Sequence, residues 1–242
     1  MKKYIFPRTC QIPSLSSKLI ELLTYRTSGT FIEVGAFDGQ KHSNVSGLAD
    51  IGWKGFCIEP IRDSFNKCKT RHRKNKNVSV HNLAISNYCG EIEINPGKAI
   101  STCNEEMLNA FEADPEVKVS FKKPVKVKCQ TLTKFADEQG IRKKPHLLSI
   151  DVEGLELEVL QGFDLKRYRP FVIIIELHEN NPDFYFKQGR VKKCIEILEE
   201  NGYIRYWNDD LNSIFVEKTH ADKNNLCEQC DSENDVSSHS QG

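Results

Sequence analysis

The run Phe171-Val-Ile-Ile-Ile-Glu-Leu177 constrains this chain more than any other segment. A strand with one wet face alternates apolar and polar residues, whereas a near-continuous apolar run fits a strand covered on both faces. Such strands belong to parallel sheets with helices packed on each side. His146-Leu-Leu-Ser-Ile-Asp-Val152 has the same character, and strand-like and helix-like segments alternate from residue 30 onward. That alternation is the pattern of strand–helix–strand crossovers.

Residues 30–35, 55–59 and 78–83 read as the first three strands, and 146–152 and 171–177 as the fourth and fifth. Helices are expected at 42–51, 61–73, 131–140, 155–168 and 190–201, the last ended by Gly202. Residues 203–207 and 213–216 flank the turn-forming Asn208-Asp-Asp-Leu-Asn212 and predict a closing antiparallel hairpin. The polar stretch 88–119, with turn signals at Pro96-Gly97 and Asp114-Pro115, reads as an irregular, substrate-facing insertion with a hairpin near 91–95. Val125-Lys-Val-Lys-Cys129 alternates as a half-buried strand beside the main sheet. The expected division is a helical or irregular lead-in (1–29), one catalytic domain (30–218) and a disordered polar tail (219–242).

A chain of 242 residues, 38% of them hydrophobic, suffices for one large core. Lys plus Arg (34) balances Asp plus Glu (34), so no general basic field draws the chain to nucleic acid. The basic run Lys67-Cys-Lys-Thr-Arg-His-Arg-Lys-Asn-Lys76 lacks interleaved aromatics and reads as a charged helix face; an RNA-directed enzyme is the alternative. The longest apolar run, 171–175, is far shorter than the ~20 residues of a membrane span. Proline and arginine interrupt Met1-Lys-Lys-Tyr-Ile-Phe-Pro-Arg8 before a secretion signal can form. Nine cysteines, several inside apolar stretches (Cys57, Cys129, Cys194), point to free thiols and a cytoplasmic location. Cys227-Glu-Gln-Cys230 is a lone pair, too few ligands for a structural zinc site.

The chemistry gathers at strand ends. Glu33-Val-Gly35-Ala36-Phe37-Asp38-Gly39 follows the first strand, and its glycines let a ligand lie against the backbone. A dinucleotide site would need a third glycine and would repel flanking acids. Glu33 and Asp38 instead suit a ligand with an amino group and a sulfonium, as in S-adenosylmethionine. Glu59, ending the second strand before Pro60, has the two adjacent acceptor oxygens that bind a ribose diol. Asp151-Val-Glu153-Gly154 follows the fourth strand. Asp151 and Glu153 are candidates for deprotonating a hydroxyl or holding a divalent cation, and Glu153 equally for capping the next helix. Glu176 and His178 fall on one side of the fifth strand's end. His178 is the other candidate base, and Asp151 with Glu176 the candidate cation pair; no metal motif is assigned.

These segments resemble the FkbM-type methyltransferases. The residues that carry the resemblance are Phe31-Ile-Glu-Val-Gly-Ala-Phe-Asp-Gly39, Cys57-Ile-Glu-Pro60, Asn82-Leu-Ala-Ile-Ser86, Ser101-Thr102, Thr131-Leu132, Leu148-Ser-Ile-Asp-Val-Glu-Gly-Leu-Glu-Leu-Glu-Val-Leu160 and Ile175-Glu-Leu-His178. The resemblance implies a class I methyltransferase fold, with a mostly parallel seven-stranded sheet, a C-terminal antiparallel hairpin and helices on both faces. It also implies S-adenosylmethionine as donor and O-methylation of a sugar, glycan or small metabolite. By position, Glu33, Gly35, Ala36, Asp38, Gly39, Glu59, Pro60 and Ala84 would line the cofactor, with Asp151 beside the transferred methyl. The family often has Gly-Ala-Asn-x-Gly where this chain has Gly35-Ala-Phe-Asp-Gly39, and residues 104–123 match little. A catalytically inactive binding module and a nicotinamide-dependent oxidoreductase are the competing readings. The terminal hairpin and the missing third glycine disfavour the latter.

Overall fold

A computed structural model describes residues 4–97, 100–113, 120–141, 144–179 and 187–226. Seven strands form one sheet in the order β3-β2-β1-β7-β8-β10-β9. They are β1 (Thr30–Val34), β2 (Lys54–Ile58), β3 (Val78–His81), β7 (Leu147–Ile150), β8 (Val172–Glu176), β9 (Tyr203–Asn208) and β10 (Asn212–Glu217). The first five run parallel, and β10 is antiparallel to both β8 and β9. This is the class I methyltransferase sheet expected from the sequence.

Alternation along each strand sends neighbouring side chains to opposite faces. Ile32, Ile58, Leu148, Ile173, Ile175 and Phe215 join one core. Phe31, Cys57, Leu147, Val172, Ile174 and Ile214 join the other. The first core is closed by α5 (Leu132–Glu138), α6 (Glu156–Gln161), α7 (Leu165–Tyr168) and α8 (Gln188–Glu200). The second is closed by α1 (Leu15–Leu22), α2 (Ser46–Asp50), and Cys68 of α3 (Arg62–His72). Ala221 of α9 (Lys218–Lys223) and Leu226 also enter this core. The segment expected to be a lead-in thus contributes Leu15, Leu19 and Leu22 to the core, and the expected tail begins as a helix. Glu217 caps that helix by accepting from His220 N (2.8 Å), a local hydrogen bond that composition does not reveal. Residues 227–242, with Cys227 and Cys230, lie outside the described residues.

Three other expectations change. The helix expected at 42–51 shortens to α2, because Ser43 Oγ accepts from Val45 N (3.2 Å) and Ser46 N (3.1 Å) and holds the preceding residues in a turn. The helix expected at 155–168 is two helices, α6 and α7. It breaks at Gly162, where a Cβ would stand 2.3 Å from Ser86 O, and restarts at the Asp164 cap. The insertion holds β5 (Gly90–Ile94) and α4 (Glu105–Ala113). Its strand pairs antiparallel with β6 (Val125–Gln130), which also pairs parallel with β4 (Ala84–Ile85) in a separate three-stranded sheet. Thr102 forms a bridge to Asn95, Pro96 O accepts from Lys122 N, and Asp114-Pro115 is outside the described residues.

The hairpin carries a functional load. Asp209 Oδ1 accepts from Leu211 N (2.9 Å) and Asn212 N (2.6 Å), closing the turn. Leu211 O then accepts from both Leu177 N and His178 N, fixing the chain where β8 ends. Phe215 of β10, fully buried, anchors this arrangement in the first core. Phe215→Ala is expected to cost about 3–5 kcal/mol in denaturant unfolding.

Candidate active site

Strand order reverses between β1 and β7, and a cavity of about 290 Å³ opens beyond their carboxyl ends. Its floor is the glycine loop. Gly35 has φ +89°, and a Cβ there would lie 1.6 Å from Asp151 O, so only glycine lets β1 and β7 end side by side. Gly35 N and Ala36 N both donate to Ile58 O (3.0 Å each), which ties the loop to β2 as well.

Glu33, Gly35, Ala36, Glu59, Pro60, Ala84, Asp151, Glu153 and His178 all line this cavity, as does Glu176. Asp38 and Gly39 are not in its wall. Asp38 Oδ1 accepts from Gln40 N (2.9 Å) and Lys41 N (2.8 Å) and so shapes the turn, while its residue borders a shallow surface hollow with Lys67 and Arg71. Gly39 (φ +75°) packs against Cys68 and His72 instead. Of the two acids expected to suit a cationic ligand, Glu33 lines the cavity and Asp38 does not; Glu59 lines it too.

Both are buried at strand ends, and both have protein donors. Glu33 accepts from Ser43 Oγ (2.7 Å) and Cys57 Sγ (3.5 Å). Glu59 accepts from Phe37 N (2.9 Å) and Ile61 N (2.8 Å), one per oxygen, and each oxygen keeps a second lone pair. Burial pushes each carboxyl up to about 7 against these hydrogen bonds.

At the opposite end, Asp151, Glu153, Glu176 and His178 converge from the ends of β7 and β8. His178 Nε2 approaches Glu176 Oε2 to 3.2 Å with both residues buried. Burial and the neighbouring carboxylates hold Asp151 and Glu153 well above the usual range. Burial opposes ionisation of Glu176 too, but His178, Lys187 and a hydrogen bond with Asp151 outweigh it and lower its pKa. The hydrogen bond between Asp151 and Glu176 raises the first and lowers the second. Lys187 Nζ, buried, stands 3.7 Å from Glu156 Oε2. Glu153 does not cap α6: the cap position is Leu155, and Gly154 N donates to Glu156 Oε1 (2.9 Å). Phe37, His42, Glu153 and His178 all line the cavity with positive φ (46°, 60°, 53°, 53°), a concentration of backbone strain typical of functional walls.

Sequence reasoning missed other walls. Lys41, His42, Ser43 and Asn44 precede α2, and Gln11 comes from the N-terminal segment. Ile100, Ser101, Cys103 and Phe111 bring the insertion onto the cavity. Thr102 Oγ1 donates to Glu153 O (2.6 Å), which joins insertion to acid cluster. Ser101-Thr102 was the available signal.

An open parallel sheet with a reversed last strand, a glycine loop after β1 and acids at the tips of β1, β2, β7 and β8 define a class I methyltransferase. The family model for the methyltransferase FkbM domain matches residues 33–205, more than two thirds of the chain's 242, and the chain belongs to that family. Its cofactor is accordingly S-adenosylmethionine. No curated protein matches the chain. Among solved structures it is similar to the O-methyltransferase from Bacillus cereus in complex with SAH (12% identity, TM-score 0.47, 87% of this chain and 84% of that chain covered). Others are the precorrin-6y C5,15-methyltransferase from Geobacter metallireducens GS-15 (10%, 0.44, 88% and 93%) and the Aeropyrum pernix fibrillarin with bound S-adenosyl-L-methionine (11%, 0.43, 78% and 66%).

The raised carboxyl at Glu33 has a pH consequence. Its unfolded-state value is 4.5 and its folded value about 7, so the unliganded native state holds the extra proton between these limits. Stability therefore falls as pH rises from about 4.5 to about 7, by an amount on the order of 3 kcal/mol. Glu33→Gln is expected to raise the Tm of the ligand-free chain above about pH 7 and to change it little near pH 4.5. Equal Tm changes at the two pH values would contradict this account.

Proposed function

We propose that the chain is an O-methyltransferase acting on a hydroxyl of a sugar, a glycan or another small metabolite. The observation that carries this reading is the His178–Glu176 pair, 3.2 Å apart in the wall of the cavity whose other end holds Glu33 and Glu59. An alcohol is a poor nucleophile until its proton is removed, and a histidine oriented by a carboxylate is the usual device for that step.

When bound, S-adenosylmethionine supplies an electrophilic methyl group on a sulfonium. Glu33, with Gly35 and Ala36, holds its amino-acid end, and Glu59 with Pro60 and Ala84 faces its nucleoside. The carboxylates match the ligand's positive charge and hydroxyl donors. His178 takes the acceptor's proton, and Glu176 stabilises the resulting imidazolium. Asp151, protonated, aligns Glu176 and borders the acceptor; Glu153 completes that wall. Positioning for in-line attack is the remaining contribution.

A divalent cation is a second reading, because ligand atoms of Glu153, Glu176 and His178 lie within 4.8 Å of one another. This set replaces the Asp151–Glu176 pair expected from the sequence. Chelator-insensitive turnover would remove it. An RNA acceptor is less favoured, since the basic run occupies the end of α3 and the residues after it, with Lys67 and Arg71 at the separate hollow rather than at the cavity. Against an inactive binding module stands the retained His178–Glu176 pair.

His178→Gln is expected to lower kcat by about 10²–10⁴-fold while leaving S-adenosylmethionine binding by calorimetry unchanged. Asp151→Asn is expected to lower turnover less. Full activity in both variants would refute the roles given to them. Labelled donor incubated with glycans, metabolite extracts and RNA identifies the acceptor class.

A further inference from the structure

A second cluster of ligand-type side chains stands outside the cavity wall. Cys57 lies on β2, and Cys68 and His72 lie one turn apart on α3. Each offers one ligand atom, two sulfurs and an imidazole nitrogen, and the three atoms lie within 4.8 Å of one another. Their residues are 0%, 0% and 4% exposed.

Two buried thiols alone are ordinary packing, since a free cysteine behaves as a small apolar group. The histidine does not fit that explanation. His72 is 4% exposed, its Nδ1 is buried with no hydrogen-bond partner among the described residues, and its ring offers a nitrogen within 4.8 Å of both sulfurs. The i, i+4 spacing of Cys68 and His72 puts both on the helix face that meets β2. Two sulfurs and one imidazole form a donor set that selects thiophilic and borderline metals over magnesium or calcium.

We propose that Cys57, Cys68 and His72 bind a thiophilic divalent cation of the zinc class. Uptake releases the two thiol protons as the sulfurs become ligands. The site lies directly beneath the cofactor loop: a Cβ on Gly39 would stand 2.9 Å from both Cys68 Sγ and His72 Nε2, and Cys57 Sγ donates to Glu33 Oε2 (3.5 Å). The cation would tie β2 to α3 and brace the loop that carries Gly35. Its role is structural and is independent of the acceptor chosen at His178.

The full chain, purified under reductant and stripped with a chelator, is to be titrated with cobalt(II) as a spectroscopic substitute. One equivalent should bind, with a sulfur-to-cobalt charge-transfer band that zinc abolishes. Zinc should also raise the Tm. Cys68→Ser should lose most of the band, whereas Cys227→Ser with Cys230→Ser should keep it. X-ray absorption at the zinc edge of the unsubstituted chain should show two sulfurs and one imidazole. A folded chain with no band and no bound zinc would overturn the site, as would a band unchanged in Cys68→Ser or a zinc shell without sulfur.

Discussion

Strands β1 and β7 lie side by side although more than a hundred residues separate them, and the rest of the site depends on that pairing. Phe31 faces Leu147 and Val34 faces Ile150, and Asp151 N continues the ladder by donating to Val34 O (3.0 Å). Because the sheet order reverses here, the connections leave on opposite sides and a cleft remains above the strand ends. The absent side chain of Gly35 keeps the two ends in contact. From this junction Glu33 and Asp151 acquire fixed places on adjoining strands. Glu59, just past β2, and Glu176, the last residue of β8, stand one strand further out on each side.

Such a site opposes folding, because four or more carboxyl groups are drawn out of water into one cavity. The sheet tolerates this through apolar cores on both faces, where Phe31, Ile32, Ile173, Ile174 and Phe215 are fully covered. Hydrogen bonds from Ser43 and the backbone offset part of the burial at Glu33 and Glu59, and His178 and Lys187 do so at Glu176. The remaining excess of negative character falls where a sulfonium and an ammonium would offset it. Electrostatic cost in the empty enzyme and affinity for a cationic nucleoside are thus two aspects of one arrangement.

Much of this was legible in the sequence because it follows from periodicity. Strands buried on both faces betray themselves as apolar runs, so 146–152 and 171–177 located β7 and β8, and the residues after them located the acids. Elements stabilised by distant or local polar contacts were not legible. The partner of β5 is set by a pairing that reaches past α4 to Val127, and α9 rests on the Glu217 cap, on Ala221 in the second core and on the His220 ring stacked against Phe171. Asp38 shows a subtler limit. Its spacing from Glu33 suggests a shared ligand, but a carboxylate two and three residues before free N–H groups closes its own turn.

The wall residues that spacing could not reveal divide by origin, and the division bears on what they do. The nucleoside end is built from strand tips and the short loops after them, which the parallel sheet positions in any chain of this topology. The remainder of the wall, including the part proposed for the acceptor, draws on Gln11, on His42 to Asn44, on the insertion through Ser101 and Phe111, and on Leu211 of the hairpin turn. A few hydrogen bonds join those segments to the strand ends: Thr102 Oγ1 donates to Glu153 O, Ser43 Oγ to Glu33, and Leu177 N and His178 N both donate to Leu211 O. A change of loop sequence can therefore reshape the acceptor end while the sheet, the glycine junction and the carboxylates at the nucleoside end stay as they are.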